Sequence, residues 1–235
     1  MPSADHSRPV NHLLRGLPRA ERQRIVAGCE EVQLALGDVL SEQGERMLHA
    51  YFPSDGCVSQ IALLDGLSAT EVGLIGNEGM VGVCLVLGVD VSPLQFIVQG
   101  AGQALRMNAA SFRRVLKDSL PLQRQLNHYV YVVMAQLAQT AVCSTHHLVE
   151  ARLARWLLMT QDRAQSEVLT LTHEFLAYML GVRRGGVTRA AGSLQSRNVI
   201  TYARGRIVVQ DRAGLMNAAC GCYQADLDIY SRILP

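Results

Sequence analysis

The 235-residue sequence lacks what would place it in a membrane or outside the cell. No apolar run approaches the roughly 18 to 20 residues needed to cross a bilayer. The longest, Val81–Val89, is interrupted by Gly82 and Gly88 and reads as a buried strand. Met1–Asn11 is polar, without the apolar stretch of a secretory signal, so a cytoplasmic protein is expected. Charge is sparse, at 18% of residues against 49% hydrophobic, which excludes a disordered chain and leaves room for one large or two modest globular domains. Cysteine lacks a pattern. Cys29, Cys57, Cys84, Cys143, Cys220 and Cys222 are scattered over the whole length, unlike a small secreted disulfide framework, and reduced thiols are expected. Cys220-Gly-Cys222 has no second ligand pair at a convincing spacing, and Cys143 with His146 and His147 is the other cluster. No metal role is therefore expected for either. Also missing are a Gly-rich phosphate loop, a Gly-x-Ser-x-Gly elbow and a metal-ligand helix motif. The histidines, at 6, 12, 49, 128, 146, 147 and 173, stand in no evident catalytic arrangement, and an enzyme is not expected.

What the chain does have is an uneven distribution of charge. Residues 1–147 carry 11 basic and 13 acidic side chains, a net of −2, whereas residues 148–235 carry 11 basic and 7 acidic, a net of +4. Within Arg183–Arg212 seven arginines face one acid, Asp211. A local arginine excess is the footprint expected for a phosphate backbone.

Its texture changes along its length. Residues 17–29 read as a short helix. From Glu31 to about Met107, short apolar stretches (Val32–Leu36, Ala50–Phe52, Val58–Leu64, Glu71–Ile75, Phe96–Val98) alternate with turn signals such as Pro53-Ser54-Asp55-Gly56, the pattern of a β-sandwich, jelly roll or barrel. Asn108 reads as the N-cap of a helix over 109–117. After Pro121, Leu122, Leu126, Val130, Val133, Leu137, Ala141 and Ser144 step by three and four residues and form one stripe. That stripe is expected to be a dimer seam, the alternative being a helix packed on its own domain. A further helix is expected over Leu148–Arg163, and Gln165–Glu167 reads as a linker.

The last third carries the chemistry. Thr172 can cap a helix that stops at Gly181, and a second helix runs from about Arg184 to Ser196 with Val187, Ala190, Ala191 and Leu194 inward. Two helices joined by a short Gly-containing turn form a helix-turn-helix, whose second helix enters the major groove with its N-terminal half. Ile200–Tyr202 and Ile207–Gln210, joined through Arg204-Gly205-Arg206, read as a hairpin wing. DNA contacts are expected from Thr172, His173, Arg183, Arg184, Gly186, Thr188, Arg189, Arg204 and Arg206, since the arginine fork fits guanine O6/N7 or two phosphate oxygens.

Residues 170–209 resemble, without a gap, the DNA-binding domain of the cyclic-AMP receptor/Fnr (Crp/Fnr) family. Upstream, Asp38-Val39-Leu40 to Gly44-Glu45, Tyr51-Phe52-Pro53 and Gly76-Asn77-Glu78-Gly79-Met80-Val81-Gly82 are similar to one branch of it. The resemblance implies an α+β fold: an N-terminal cyclic-nucleotide-binding-like β jelly roll over 1–120, a dimerisation helix over 121–147 and a winged helix-turn-helix over 148–235. It implies a homodimeric transcription regulator on a palindromic site of double-stranded DNA, with RNA polymerase as a further partner and no membrane. The alternative is an effector-binding dimeric scaffold whose winged domain contacts protein.

The same resemblance marks departures. Where cyclic-AMP-binding members have a Glu after the pocket glycine, an Arg-Ser pair and a Thr-Ser pair, this chain has Val83, Pro93-Leu94 and Leu137-Ala138. An effector pocket is therefore placed at Gly82, Val83, Cys84, Leu85, Pro93, Leu94, Leu137 and Ala138, with cyclic AMP not expected in it, since burying an anion without a cation or N–H donors is costly. The cofactor is unknown, and DNA binding requires none. Residues 1–28 hold no cysteine for an Fnr-type cluster. The family's Arg-Glu-x-x-x-Arg reader is here Arg184-Gly185-Gly186-Val187-Thr188-Arg189, without the acid that reads cytosine.

Overall fold

The chain is described by a computed structural model over residues 11–64, 68–164 and 168–234; the expected linker, Gln165–Glu167, lies outside these. The alternating segments become seven antiparallel strands in two sheets. Strands β1 (Glu30–Leu34), β7 (Gly102–Asn108) and β3 (His49–Pro53) form one, in the order β1-β7-β3. Strands β2 (Val39–Ser41), β6 (Gln95–Gly100), β4 (Cys57–Leu64) and β5 (Ser68–Ile75) form the other, in that order. Alternate residues point inward, as the pleat requires. Leu34, Ala50, Phe52, Ala104 and Met107 from the first sheet meet Val58, Ile75, Phe96 and Val98 from the second in one core. Short helices α1 (His12–Arg15) and α2 (Arg19–Ala27) close one side. Asn11 anchors them: its Oδ1 caps α1, and its Nδ2 donates to the Pro53 and Gly79 carbonyls at 2.9 and 2.8 Å.

Val81–Val89 is not a strand. Val81 bridges to Tyr51, and Val83–Leu87 winds into a 3₁₀ turn. Gly82 and Gly88 take φ of 95° and 77°, left-handed values that end an extended path on both sides.

Asn108 accepts from the Ser111 amide and starts α3 (Ala109–Asp118). Ser119 then caps α4 (Leu120–His146), whose 27 residues span about 40 Å at the α-helical rise. Its first half is committed inward. Leu122, Leu126, Tyr129 and Val133 belong to the sheet core, with Leu122 and Leu126 fully buried. Each such side chain contributes roughly 1.5 to 3 kcal/mol where it lies, so a partner helix cannot take it over.

Helix α5 (Val149–Ala164) leads into the second unit: β8 (Val168–Thr170), α6 (His173–Leu180), α7 (Arg184–Ser196), the hairpin β9 (Ile200–Ala203) and β10 (Arg206–Val209), α8 (Arg212–Ala218) and α9 (Cys222–Ile233). The three strands pair in the order β8-β10-β9. Val187, Ala190, Ala191 and Leu194 of α7 pack with Leu153, Leu157, Leu176, Ile200 and Ile207, and Ile61 and Ala69 of the β4–β5 hairpin enter the same core. The two units are thus joined. The Trp156 indole donates to Glu71 at 2.8 Å, and Arg163 pairs with Glu78 at 2.7 Å. Helix α9 runs back along α4, where Tyr230 and Leu234 pack on the sheet core. No helix of the described residues is long and apolar enough to cross a membrane.

Candidate nucleic-acid interface

The turn between α6 and α7 is built by local chemistry. Thr172 Oγ1 accepts from the Phe175 amide at 3.1 Å and starts α6. Gly181 ends it at φ 62°, donating to the carbonyls of Ala177 and Tyr178. Arg183 then begins α7 with no side-chain cap. The buried face of α7 is aliphatic, which leaves Arg183, Arg184, Thr188 and Arg189 exposed on the other side. The wing turns through Arg204 and Gly205, at φ of 51° and 75°, the paired positive values of a tight two-residue hairpin. Arg204 and Arg206 are both exposed there.

These elements enclose an open cleft of about 500 Å³ lined by Thr172, His173, Glu174, Arg184, Tyr202, Arg204 and Gly205. His173 organises it. Its ring stacks on Tyr202 at 4.2 Å between centroids, and its Nδ1 lies 3.1 Å from Thr188 Oγ1. Burial, helped by the nearby Arg184 charge, holds the His173 pKa below its ordinary value, so the ring is neutral at pH 7. The structure therefore brings Thr172, His173, Arg184 and Arg204 around one cleft, with Arg183, Thr188, Arg189 and Arg206 exposed on the flanking helix and hairpin. Gly186 lies on the half-buried side of α7, 3.8 Å from Val149 measured from where a Cβ would stand.

Sequence reasoning missed Tyr202, whose aromatic ring in a strand carries no local signal of stacking, and Glu174, which puts an acid at the cleft. It also counted two arginines that are spent on structure. Arg197 pairs with Glu150, and Arg212 bonds Asp162 Oδ1 at 2.5 Å and the Tyr223 hydroxyl at 2.9 Å. Among the described residues Arg183, Arg184, Arg189, Arg204 and Arg206 make no ion pair.

The other expected sites fare differently. Val83, Cys84, Leu94 and Leu137 pack on the sheet core around buried Gly82 and Leu85, whereas Pro93 and Ala138 are exposed, so these eight do not line one pocket. Leu85 borders a separate cavity of about 390 Å³ with Val86, Arg113, Leu116 and Lys117. Of the expected seam, Leu122, Leu126 and Val133 are buried in the chain's own core, Val130 and Leu137 are half-buried, and Ala141 and Ser144 are exposed. The exposed apolar face of α4 lies to one side of that stripe, with Tyr131, Met134, Ala138 and Val142.

Residues 151–218 match the model of the Crp-like helix-turn-helix domain. Among curated proteins, none matches the sequence. Among solved structures, FixK2 from Bradyrhizobium japonicum is similar at 15% identity with a TM-score of 0.68, over 82% of this chain and 98% of that one. The c-di-GMP-responsive global regulator CLP of Xanthomonas campestris is similar at 16% and 0.67, over 82% and 99%. A CRP/FNR-family transcriptional regulator from Thermus thermophilus, TTHA1359, is similar at 22% and 0.66, over 81% and 98%. At these identities the structures bear on fold. The chain therefore carries a Crp-like helix-turn-helix domain at residues 151–218 and has the overall fold of Crp/Fnr-family transcriptional regulators.

Proposed function

We propose that this chain regulates transcription as a homodimer on palindromic double-stranded DNA, with α7 in the major groove and the β9–β10 wing on the phosphate backbone. The observation that carries this is the set of five exposed arginines, three at the N-terminal half of α7 and two on the wing, that make no ion pair among the described residues. Arg184 and Arg189 suit guanine edges, and Arg204 and Arg206 suit phosphates. Losing the acidic base reader at Gly185 shifts sequence preference by about 1 to 3 kcal/mol at one position.

The seam we assign to Tyr131, Met134, Ala138 and Ala141, whose spacing of three, four and three residues is that of a coiled-coil stripe, with Val142 beside it. Ala138→Arg would put two charges into that seam and is expected to give a monomer in analytical ultracentrifugation. Cyclic AMP is not the sensor's ligand in the family's manner. Pro93 has no N–H, the Leu94 N–H is donated to Ser92 Oγ at 3.1 Å, and the side chains of Val83, Pro93 and Leu94 carry no polar group. Micromolar binding in calorimetric titration would overturn that point.

Selection from random duplexes followed by footprinting tests the main reading. The expected result is two protected half-sites about one helical turn apart, lost in Arg184→Ala/Arg189→Ala with the circular dichroism spectrum unchanged. Recovery of no preferred sequence would overturn it and favour a winged domain that contacts protein.

A further inference from the structure

Two cysteine clusters far apart in the chain meet in space. Cys143 sits in the last turn of α4 and His147 four residues on, at its C-cap; Cys220 precedes α9, and Cys222 is its first residue. Cys143 Sγ lies 3.5 Å from Cys220 Sγ, Cys222 Sγ lies 3.5 Å from His147 Nδ1, and the four ligand atoms all fall within 4.8 Å of one another. We propose that Cys143, His147, Cys220 and Cys222 form a mononuclear tetrahedral site for a thiophilic divalent cation, Zn²⁺ being the ion its donors fit best.

The distances favour one ion. Bonds of about 2.3 Å to sulfur and 2.0 Å to nitrogen in a tetrahedron put the ligand atoms roughly 3.5 to 3.8 Å apart, the separation already present in two of the pairs. An iron–sulfur cluster divides its thiolates among several irons and needs them farther apart. A Cys143–Cys220 disulfide would use two of the four groups and leave Cys222 and His147 facing it without a role. Three thiolates and a neutral imidazole are a soft donor set that selects zinc-like ions over hard ones.

The surroundings are those of a ligand shell. The Gln139 amide donates to Cys222 Sγ at 2.9 Å. Three thiolates around a divalent ion leave one negative charge, and Arg152 and Arg155 stand beside it; Arg155 is held at 2.6 Å by Asp226 of α9. Binding sends the thiol protons to solvent, so affinity falls as pH falls. Because the ligands come from α4 and α9, the ion clamps the end of the long helix to the helix that closes the DNA-binding unit.

The test uses the full chain, purified with reductant. Elemental analysis is expected to find close to one zinc per chain, and exchange into Co²⁺ to give tetrahedral ligand-field bands with strong sulfur-to-cobalt charge transfer. Cys220→Ser/Cys222→Ser is expected to lower bound metal at least tenfold, roughly the scale of losing ligands from a shell, while Cys84→Ser leaves it unchanged. Should the double variant misfold, the wild-type cobalt spectrum decides alone, since its charge-transfer intensity reports the number of thiolates. Reduced, folded protein that holds no zinc after incubation and gel filtration would overturn the proposal. So would metal content indifferent to the double variant, or iron accompanied by sulfide. None of these readouts involves DNA, so the site and the DNA-binding reading stand or fall separately.

Discussion

Glu71 joins the two units of the chain, and removing its charge tests that joint. It lies on β5, inside the contact with α5, and accepts from Ser59 Oγ at 2.6 Å and from the Trp156 indole at 2.8 Å. Burial pushes its carboxyl up to about 7 despite those two donors and the more distant Arg163 and Arg155 charges. An unfolded carboxyl loses its proton near 4.5. Between these values the folded state holds the extra proton, so stability falls as pH rises. At 1.36 kcal/mol per pKa unit the full effect is on the order of 3 kcal/mol, complete above about pH 8. Glu71→Gln keeps an acceptor for Trp156 and a partner for Ser59 but cannot ionise. Urea unfolding of both proteins from pH 5 to 8 is the assay. The histidines held below their ordinary values, His12, His49 and His173, act in the opposite direction, gaining stability as pH rises through 6.5, but they are common to both proteins and cancel in the difference. Wild type is expected to lose about 2.5 kcal/mol relative to the variant over this range, the rest of the effect falling below pH 5. A difference that stays flat with pH would refute the reasoning.

Two further substitutions separate contacts by type. Arg204→Ala is expected to weaken DNA binding evenly across sequences and to reduce the slope of log affinity against log salt by about 1, whereas Arg184→Ala costs about 1 to 3 kcal/mol and relaxes preference at one base pair; fluorescence anisotropy on a duplex panel at several salt concentrations distinguishes them. Gly181→Ala puts a Cβ 2.5 Å from Thr70 Oγ1 at φ 62° and is expected to lose about 1 to 2 kcal/mol in urea unfolding from the backbone alone. Adding Thr70→Ala should recover only the steric remainder.

What was legible in the sequence is what local chemistry decides. Thr172, Gly181 and the aliphatic spacing of α7 specify the helix-turn-helix, because caps, left-handed turns and a 3.6-residue period act within a few residues. The jelly-roll strands were legible from alternation and turn residues. The failures lie where two distant pieces meet. Periodicity showed that α4 has an apolar stripe, but not that Leu122, Leu126 and Val133 face the chain's own sheets while Tyr131 and Met134 stay outside. Nothing near Arg197 or Arg212 signals Glu150 or Asp162, each some 50 residues away. Gly82 and Gly88 visibly interrupt an apolar run, yet their positive φ, which makes a turn there, depends on the surrounding fold. Both halves of the Cys143–Cys222 cluster were visible, but their meeting depends on α9 folding back along α4.

The first turn of α7 is where local chemistry opposes the fold. Arg183 gives no side-chain cap and the turn holds no acid, so Arg183 and Arg184 face the positive end of the helix dipole without compensation. Gly185 and Gly186 each cost up to about 1 kcal/mol relative to alanine, and the missing cap about 1 more. The neighbouring α6 has both a Thr172 cap and Glu174 in its first turn. A DNA phosphate supplies what α7 lacks, an anion at its uncapped N-terminus. Amide exchange over 183–190 is therefore expected to be fast in the free protein and at least tenfold slower on DNA, a change of about 1.4 kcal/mol. Alanine fits at both glycines, where the nearest atoms, Arg189 Nη1 and a Val149 methyl, lie 3.8 Å from a built Cβ. Gly185→Ala/Gly186→Ala should thus slow exchange in the free protein by roughly 5- to 30-fold, the factor that 1 to 2 kcal/mol gives. Slow exchange of the unsubstituted helix without DNA would mean that tertiary packing against α5 outweighs these local terms, and that the first turn is ordered before DNA arrives.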